Sequence, residues 1–210
     1  MGCMRQRLNR EGGGIDMNFL EYNSWYDQQF ADKSTLRHWT FRIALNLLYQ
    51  QPNHNIVETG TIRQLNDFGA GYSTFIFGTF IKRYGGHITT IDINEQNMKV
   101  CMDVTKDFKD KVTYHIADSL FALTLLKEPI DLLYLDSLDT PMGDNEDASL
   151  AQEHCLKEFK IVEHLLHDKS IVLIDDNNFI NGGKSRFVKK YLAEKGWRVL
   201  LNAQQSIWIR

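Results

Sequence analysis

The sequence lacks several features that mark specialised classes of protein. No apolar run approaches the ~20 residues of a membrane span, and the N-terminus has no apolar signal core, so we expect neither a membrane protein nor a secreted one. Lys and Arg number 24 against 27 Asp and Glu, for a net charge of −3, and the basic residues are scattered. This distribution argues against a dedicated nucleic-acid binder.

Cysteine is also scarce. The three cysteines, Cys3, Cys101 and Cys155, match no zinc-binding spacing. An odd number of widely spread cysteines fits a reducing compartment better than a disulfide framework. We therefore predict a cytoplasmic protein.

A run of three glycines, Gly12 to Gly14, separates a short tail from the rest of the chain. We predict that residues 1–16 form a flexible tail and that residues 17–54 form a helical segment packed on the core. In that segment Leu36, Trp39 and Ile43 recur at helical spacing, with Ser34 as the expected N-cap. Residues 55–210 form the predicted main domain.

From Asn55 onward, strand-like and helix-like segments alternate along the chain. This alternation predicts an α/β fold, a doubly wound, mostly parallel, Rossmann-like sheet of seven strands with helices on both faces. Only Gln204 and Gln205 separate the last two strand-like segments. Such a short connection predicts a hairpin, and so an antiparallel last strand.

Acidic residues follow or end each of the first five predicted strands. These residues are Glu58, Asp92, Asp118, Asp136, and the pair Asp175 and Asp176. The carboxyl ends of parallel strands share one edge, where ligands of such sheets bind. Helix capping accounts for Asp118 with Ser119, or for Asp92 with Asn94, but not for the whole series.

The chemistry of this series suits a nucleoside that carries an amino group. An acid at the end of the second strand, here Asp92, can accept hydrogen bonds from ribose hydroxyls. A strict G-x-G-x-x-G is absent, since the loop reads GAGYST. Glu58 at the start of the turn would repel a pyrophosphate, which binds at glycine-lined helix N-termini. These features disfavour, without excluding, a nicotinamide-dependent oxidoreductase.

The ordered motifs E-x-G, I-D, A-D-S and DLLYLDS, followed by SIVLIDDNN, resemble the class I S-adenosylmethionine-dependent methyltransferases. The resemblance covers residues ~55–210 and is closest to the small O-methyltransferase-like branch related to catechol O-methyltransferase. It implies S-adenosylmethionine as cofactor and methylation of a hydroxyl on a small molecule or sugar. A non-catalytic, cofactor-binding member of the same fold remains an alternative.

The resemblance also implies which residues contact the cofactor. Glu58 would approach the methionyl amino group, Asp92 the ribose hydroxyls, and Asp118 the adenine amino group. Asp136 would lie below the sulfonium. The full implied set is Glu58, Gly60, Thr61, Gly71, Tyr72, Ser73, Asp92, Ile93, Asp118, Ser119 and Asp136.

Metal-dependent members of the family bind Mg²⁺ through an Asp after the fourth strand and an Asp-Asn pair after the fifth. Here these residues would be Asp136, Asp176 and Asn177, with Asp175 as an alternative ligand. Carboxylate and amide oxygens suit magnesium. The alternative is that Asp175 and Asp176 form an ordinary turn after a strand. Both interpretations stay open.

The sequence departs from the family in two places. Catechol-type enzymes carry a lysine base three residues after the fourth-strand acid, where this chain has Asp139. Asp136 and His154 are therefore the candidate catalytic groups, although a solvated helix-surface position also explains His154. In addition, ten residues separate Gly60 from Gly71, which predicts an inserted loop.

Other features have simpler explanations. The basic cluster Lys184, Arg186, Lys189 and Lys190 is predicted to be the exposed face of an amphipathic helix. Trp25 and Trp39 fit ordinary packing as well as an acceptor pocket. We expect a small-molecule or sugar acceptor as partner, with neither nucleic acid nor a membrane, and leave a homodimer open.

Overall fold

The computed structural model describes residues 17–34, 36–70, 72–141 and 146–210. The predicted tail, 1–16, and the predicted cofactor contact Gly71 lie outside the described residues. The helices are α1 (Met17–Phe30), α2 (Arg37–Tyr49), α3 (Ser73–Tyr84), α4 (Glu95–Val104), α5 (Ser119–Leu123), α6 (Ser149–Val162) and α7 (Arg186–Glu194). The strands are β1 (Asn55–Thr59), β2 (His87–Asp92), β3 (Val112–Ile116), β4 (Ile130–Leu135), β5 (Leu166–Ile174), β6 (Arg198–Asn202) and β7 (Ser206–Ile209).

The strands form a seven-stranded sheet in the order β3-β2-β1-β4-β5-β7-β6. Strands β1 to β5 are mutually parallel, while β7 runs antiparallel to both β5 and β6. The predicted doubly wound sheet with an antiparallel last strand is therefore confirmed. The strand order reverses between β1 and β4, which puts the switch point beside the end of β1.

The centre of the sheet is covered on both faces. All six residues of β4, Ile130–Leu135, are buried, as expected for a parallel strand between two layers of helices. One hydrophobic core includes Phe41 of α2 and Phe77 of α3. The other includes Phe159 of α6 and Trp197 before β6. The two cores hold the helices on opposite faces and leave the carboxyl edge of the strands to the connecting loops.

The N-terminal helices pack on the first of these cores through aromatic side chains. Tyr22, Tyr26 and Phe30 of α1 are each no more than 2% exposed. Helix α2 begins at Arg37 rather than near Ser34, with no side-chain cap. The predicted N-cap was wrong, because Ser34 accepts the Arg37 N–H through its backbone carbonyl instead.

Among the described residues, none of the helices has the length and apolar composition needed to cross a membrane. The longest helices, α1 and α6, have 14 residues each. Both are shorter than the ~20 residues that a spanning helix requires.

Candidate active site

The sheet brings the predicted acids to one edge. The Asp136 N–H donates to the Thr59 carbonyl at 2.9 Å, and the Asp175 N–H donates to the Leu135 carbonyl at 3.1 Å. The ladder between β1, β4 and β5 thus continues past the strand ends. The structure places the acids side by side along the carboxyl edge in the order Asp118, Asp92, Glu58, Asp136 and Asp175.

Glu58, at the end of β1, lies in the middle of this series of acids. Its side chain is fully buried, and it accepts a hydrogen bond from the Thr74 hydroxyl of α3. Its second oxygen, Oε2, is buried with no hydrogen-bond partner among the described residues. Burial raises the pKa of Glu58 to about 7, although the Thr74 hydroxyl opposes the shift. An unpartnered carboxylate oxygen at this depth is suited to a ligand that brings a positive charge or an N–H donor.

Gly60 turns the chain away from β1 immediately beyond Glu58. Its φ of +83° is a left-handed conformation, and a Cβ there would lie 2.2 Å from the carbonyl oxygen of Asp136. Glycine, which lacks a Cβ, adopts this φ without a steric penalty and without a clash with the Asp136 carbonyl. The tight turn keeps the ends of β1 and β4 close together.

Hydroxyl groups surround the buried Glu58. Thr61 Oγ1 lies 3.0 Å from Thr74 Oγ1 and 3.1 Å from Thr90 Oγ1. Ser73 is buried at the start of α3. Tyr72 precedes it with a φ of +51°. The predicted contacts Thr61, Tyr72 and Ser73 thus lie around the junction between the inserted loop and α3.

Asp92 ends β2 at the same edge, and Ile93 follows it. Asp92 Oδ1 accepts the Asn94 N–H at 2.7 Å, and its Oδ2 accepts from Asn97 Nδ2 at 3.3 Å. Asn94, not Asp92, caps α4. Ile93 is 72% exposed. An exposed apolar side chain next to a carboxylate suits the adenine and ribose of a nucleoside, respectively.

Asp118 and Ser119 follow β3. Asp118 caps α5 by accepting the Phe121 N–H at 3.2 Å. Helix capping therefore explains this one acid of the series. Ser119 Oγ lies 3.0 Å from His154 Nε2, which links α5 to α6.

His154 is held by its neighbours rather than surrounded by solvent. Besides Ser119, its Nε2 lies 3.2 Å from Glu158 Oε1, and its side chain is 20% exposed. The hydrogen bond with Glu158 raises the pKa of His154. Glu158 is itself hydrogen-bonded to Thr59 Oγ1 of β1 at 3.2 Å. These contacts anchor α6 on β1, and whether His154 acts as a base stays a prediction.

Asp136 and Asp175 meet across the hydroxyl of Tyr134. The Tyr134 oxygen lies 2.5 Å from Asp175 Oδ2 and 3.1 Å from Asp136 Oδ2. Asp175 also accepts the Nε–H of Arg37 in α2 at 2.9 Å. Burial alone would raise the pKa of Asp175, but Arg37 and Lys184 outweigh it and lower the pKa. Asp175 therefore forms its ion pair with Arg37 as a carboxylate.

Lys184 occupies the space between Asp136 and Asp176. Its Nζ lies 2.8 Å from Asp136 Oδ1 and 3.2 Å from Asp176 Oδ2, and its side chain is 2% exposed. Burial alone would lower the pKa of Lys184, but these two carboxylates and Asp175 raise it well above its ordinary value. The prediction that Lys184 belongs to an exposed helix face was wrong, since it lies before α7 and points inward.

The predicted magnesium ligands do not fit a metal ion in this arrangement. Both amide atoms of Asn177 are engaged: Nδ2 donates to Asn202 and Ala203, while Oδ1 accepts from Ser185 and Lys189. Asp175 is bound to Arg37. In the part of the chain that the structure describes, no group of three or more His, Cys, Asp or Glu is arranged to hold a metal. An ammonium group stands where the ion was expected.

The inserted loop between Gly60 and α3 is tied to both sides of the site. Arg63 forms a two-pronged ion pair with Asp139, at 2.8 and 2.5 Å. Arg37 Nη1 donates to the Gly69 carbonyl at 2.5 Å. Asp139 stands where catechol-type relatives are expected to carry a lysine base, and here it anchors the loop instead.

Sequence reasoning missed Arg37, Arg63 and Tyr134 and misplaced Lys184. The relevant signal for Tyr134 was available, because a tyrosine two residues before Asp136 points to the same face of β4. No local pattern marks the other three, since each meets its carboxylate through a loop or a distant helix.

Several solved structures share this fold. An S-adenosylhomocysteine-bound methyltransferase from Podospora anserina has 15% identity, with 94% of this chain and 88% of that chain covered and a TM-score of 0.60. A Staphylococcus aureus protein assigned as a caffeoyl-CoA O-methyltransferase has 17% identity, with coverage of 93% and 100% and a TM-score of 0.59. A TDP-rhamnose 3'-O-methyltransferase of calicheamicin biosynthesis has 13% identity, with coverage of 94% and 96% and a TM-score of 0.61. At these identities the likeness shows the fold alone.

The fold and the acidic edge together define a class I S-adenosylmethionine-dependent methyltransferase. The model of a family described as "Methyltransferase domain" matches residues 67–177, which is more than half of the chain. The chain therefore belongs to this methyltransferase family, and not to the nicotinamide-dependent oxidoreductases. No curated protein matches the chain.

Proposed function

We propose that this methyltransferase transfers the methyl group of S-adenosylmethionine to a hydroxyl oxygen of a small molecule or sugar. The observation that carries the proposal is the buried Glu58 at the switch point, with an oxygen that has no partner among the described residues. A cofactor with a charged amino group is the ligand that this carboxyl group suits. Two of the structural neighbours are O-methyltransferases by name, one of them acting on a sugar nucleotide.

In this proposal each residue along the edge contacts a different part of S-adenosylmethionine. Glu58 accepts from the amino group of the cofactor, Asp92 accepts from the ribose hydroxyls, and Ile93 packs against the adenine. Asp118 lies beyond them on the adenine side. This order follows the order of the strands, so one extended nucleoside can contact all four residues at once.

When bound, S-adenosylmethionine supplies an electrophilic methyl group, which the acceptor oxygen takes while the electrons of the S–C bond stay on sulfur. In the proposal Asp136 receives the proton of the acceptor hydroxyl. Burial raises the pKa of Asp136 to about 8, against the opposing effect of Lys184. A carboxylate with a pKa near the working pH is an effective proton acceptor.

Isothermal titration with S-adenosylhomocysteine tests the cofactor part of this proposal. We expect one binding site per chain in the wild type and at least a tenfold weaker site in Asp92→Ala, because the ribose loses its acceptor. Asp110→Ala, an exposed acid away from the edge, is the control and should bind as the wild type does. Absence of binding by the folded wild type would refute the proposal.

The acceptor part is tested by turnover with a panel of phenols and sugar hydroxyls. We expect transfer of a labelled methyl group to a member of the panel. We also expect Asp136→Asn to reduce that transfer in protein saturated with S-adenosylmethionine. Methylation at nitrogen instead of oxygen would contradict the choice of acceptor while leaving the cofactor assignment intact.

A further inference from the structure

The carboxylates of Asp136, Asp175 and Asp176 lie close together at the ends of β4 and β5. Each forms an ion pair with a basic side chain of the same chain. Lys184 is paired with Asp136 and Asp176. Arg37 is paired with Asp175 at 2.9 Å and, more distantly, with Asp176 at 3.7 Å. The three acids are those predicted from the sequence to hold a divalent metal. In this structure Arg37 of α2 and Lys184 of the loop before α7 neutralise their negative charges.

The loop before α7 is shaped so as to deliver Lys184 to this place. Gly183, which precedes it, has a φ of +59°, and a Cβ there would lie 1.7 Å from the carbonyl oxygen of Asp176. The left-handed turn at this contact brings the loop back onto the end of β5. Ser185, which follows, is hydrogen-bonded to Asn177 Oδ1 at 2.8 Å. The residues on both sides of Lys184 therefore fix the position of its backbone.

A lysine at this depth is costly unless its charge is compensated. Lys184 is 1% exposed as a residue, and its two ion pairs use two of the three N–H groups of an ammonium. Asp136, whose side chain is 20% exposed, forms the part of the cluster that reaches the surface of the edge. An acceptor that approaches Asp136 therefore approaches the ammonium as well.

We propose that Lys184 is the resident cation of the acceptor site and takes the place of a divalent metal ion. This inference rests on the proposed function, since it assigns the third N–H of Lys184 to the oxygen that receives the methyl group. A fixed positive charge beside a hydroxyl favours its deprotonated form and stabilises the negative charge that develops on the oxygen. Lys184 supplies that charge without dissociating.

The test uses Mn²⁺ as a probe, because its electron paramagnetic resonance signal reports free and bound ion directly. The full chain is titrated without cofactor or acceptor. We expect the wild type to leave the Mn²⁺ free. Lys184→Gln and Lys184→Met should each bind one Mn²⁺ between Asp136 and Asp176, and Lys184→Gln combined with Asp136→Asn should lose it. Lys189→Gln is the control, because Lys189 contacts Asn177 rather than the two acids, and should leave the ion free.

Two results would overturn the inference. One is a wild type that binds Mn²⁺ at a site removed by Asp176→Asn, which would show that a metal and Lys184 share the cluster. The other is a pair of folded Lys184 variants that leave the ion free, which would show that the acids do not surround a place for a cation. If these variants fail to fold, the Mn²⁺ titration of the wild type still tests the inference, because binding at Asp176 would contradict it.

The cofactor titration separates this inference from the proposed function. Wild-type protein that binds S-adenosylhomocysteine but also binds Mn²⁺ at Asp176 retains the function and loses the inference. Wild-type protein that leaves Mn²⁺ free but does not bind S-adenosylhomocysteine loses the proposed function, and with it the role of Lys184 toward an acceptor.

Discussion

Glu58 carries an ionisable group in the interior, and its charge depends on the hydroxyl groups of Thr74, Thr90 and Ser73 and on the ligand that reaches its second oxygen. Desolvation raises its pKa to about 7 in the folded chain. In the unfolded chain the pKa returns to its ordinary value near 4.5. The folded state therefore holds the proton more tightly, and this residue links stability to pH.

We predict that Glu58 stabilises the fold below about pH 4.5 relative to higher pH, and that this contribution disappears as the pH rises through about 7. The difference is on the order of 3 kcal/mol. Urea denaturation of wild type and Glu58→Gln at a series of pH values measures it. The wild type should lose stability relative to the variant between these limits. Glu153→Gln, on an exposed face of α6, should run parallel to the wild type, and a pH-independent offset for Glu58→Gln would contradict the prediction.

The turn at Gly60 can be tested against a glycine of the same conformation in open surroundings. Gly60 and Gly196 both have a φ of +83°, but a Cβ at Gly196 would have nothing within 4 Å. Gly196→Ala should cost roughly 1–2 kcal/mol from backbone strain. Gly60→Ala should cost more and also weaken binding of S-adenosylhomocysteine, because the Asp136 backbone must move. Chemical denaturation and calorimetry give the two values, and equal losses would show that the clash is relieved elsewhere.

At the scale of elements, the inserted loop depends on polar ties more than on buried area. The Arg63–Asp139 pair is partly solvated, with side chains 40% and 69% exposed. Exposed pairs of this kind contribute ~0–1 kcal/mol to global stability. Their effect should therefore appear in the local opening of the loop rather than in unfolding of the domain.

Arg63→Asp should increase hydrogen exchange in residues 61–70 while leaving the strands protected. The double variant Arg63→Asp with Asp139→Arg should restore protection, because the pair is re-formed with reversed signs. Lys99→Ala removes an exposed pair within α4 and serves as the control. Exchange measured by mass spectrometry decides the matter, and equal protection in all four proteins would show that the pair does not hold the loop.

The helices and strands were largely predictable from the sequence, because β-branched or apolar runs bounded by turn residues indicate the strands. HITTID and IDLLYLDS were placed within a residue or two of β2 and β4. The start of α2 was missed, since Ser34 offered a cap that the chain does not use. The acids of the site were predictable from the same logic. Their partners were not, because Arg37 lies 138 positions from Asp175 in the sequence.

At the scale of the whole molecule, one sheet carries both hydrophobic cores. Residues of β4 alternate between them, with Leu132 and Tyr134 in one core and Leu133 and Leu135 in the other. Neither layer of helices can separate without exposing β4. We therefore expect residues 17–210 to unfold in a single cooperative transition.

Phe159→Ala, in the core on the α6 face, should lower the free energy of unfolding by ~3–5 kcal/mol without splitting the transition. Phe121→Ala should change it by no more than about 0.5 kcal/mol, because Phe121 is 62% exposed. Urea melts followed by near- and far-ultraviolet circular dichroism give both numbers. Two separated transitions in Phe159→Ala would contradict the expectation that the two cores unfold together.

The two glycines next to the acids have an evolutionary consequence. Gly60 abuts the backbone of Asp136, and Gly183 abuts the backbone of Asp176. The distance between Asp136 and Asp176, which Lys184 bridges, therefore depends on the absence of a Cβ at positions 60 and 183. A replacement at either codon would move apart the carboxylates that one lysine has to reach. Relatives of this chain should therefore keep or lose positions 60, 183 and 184 together.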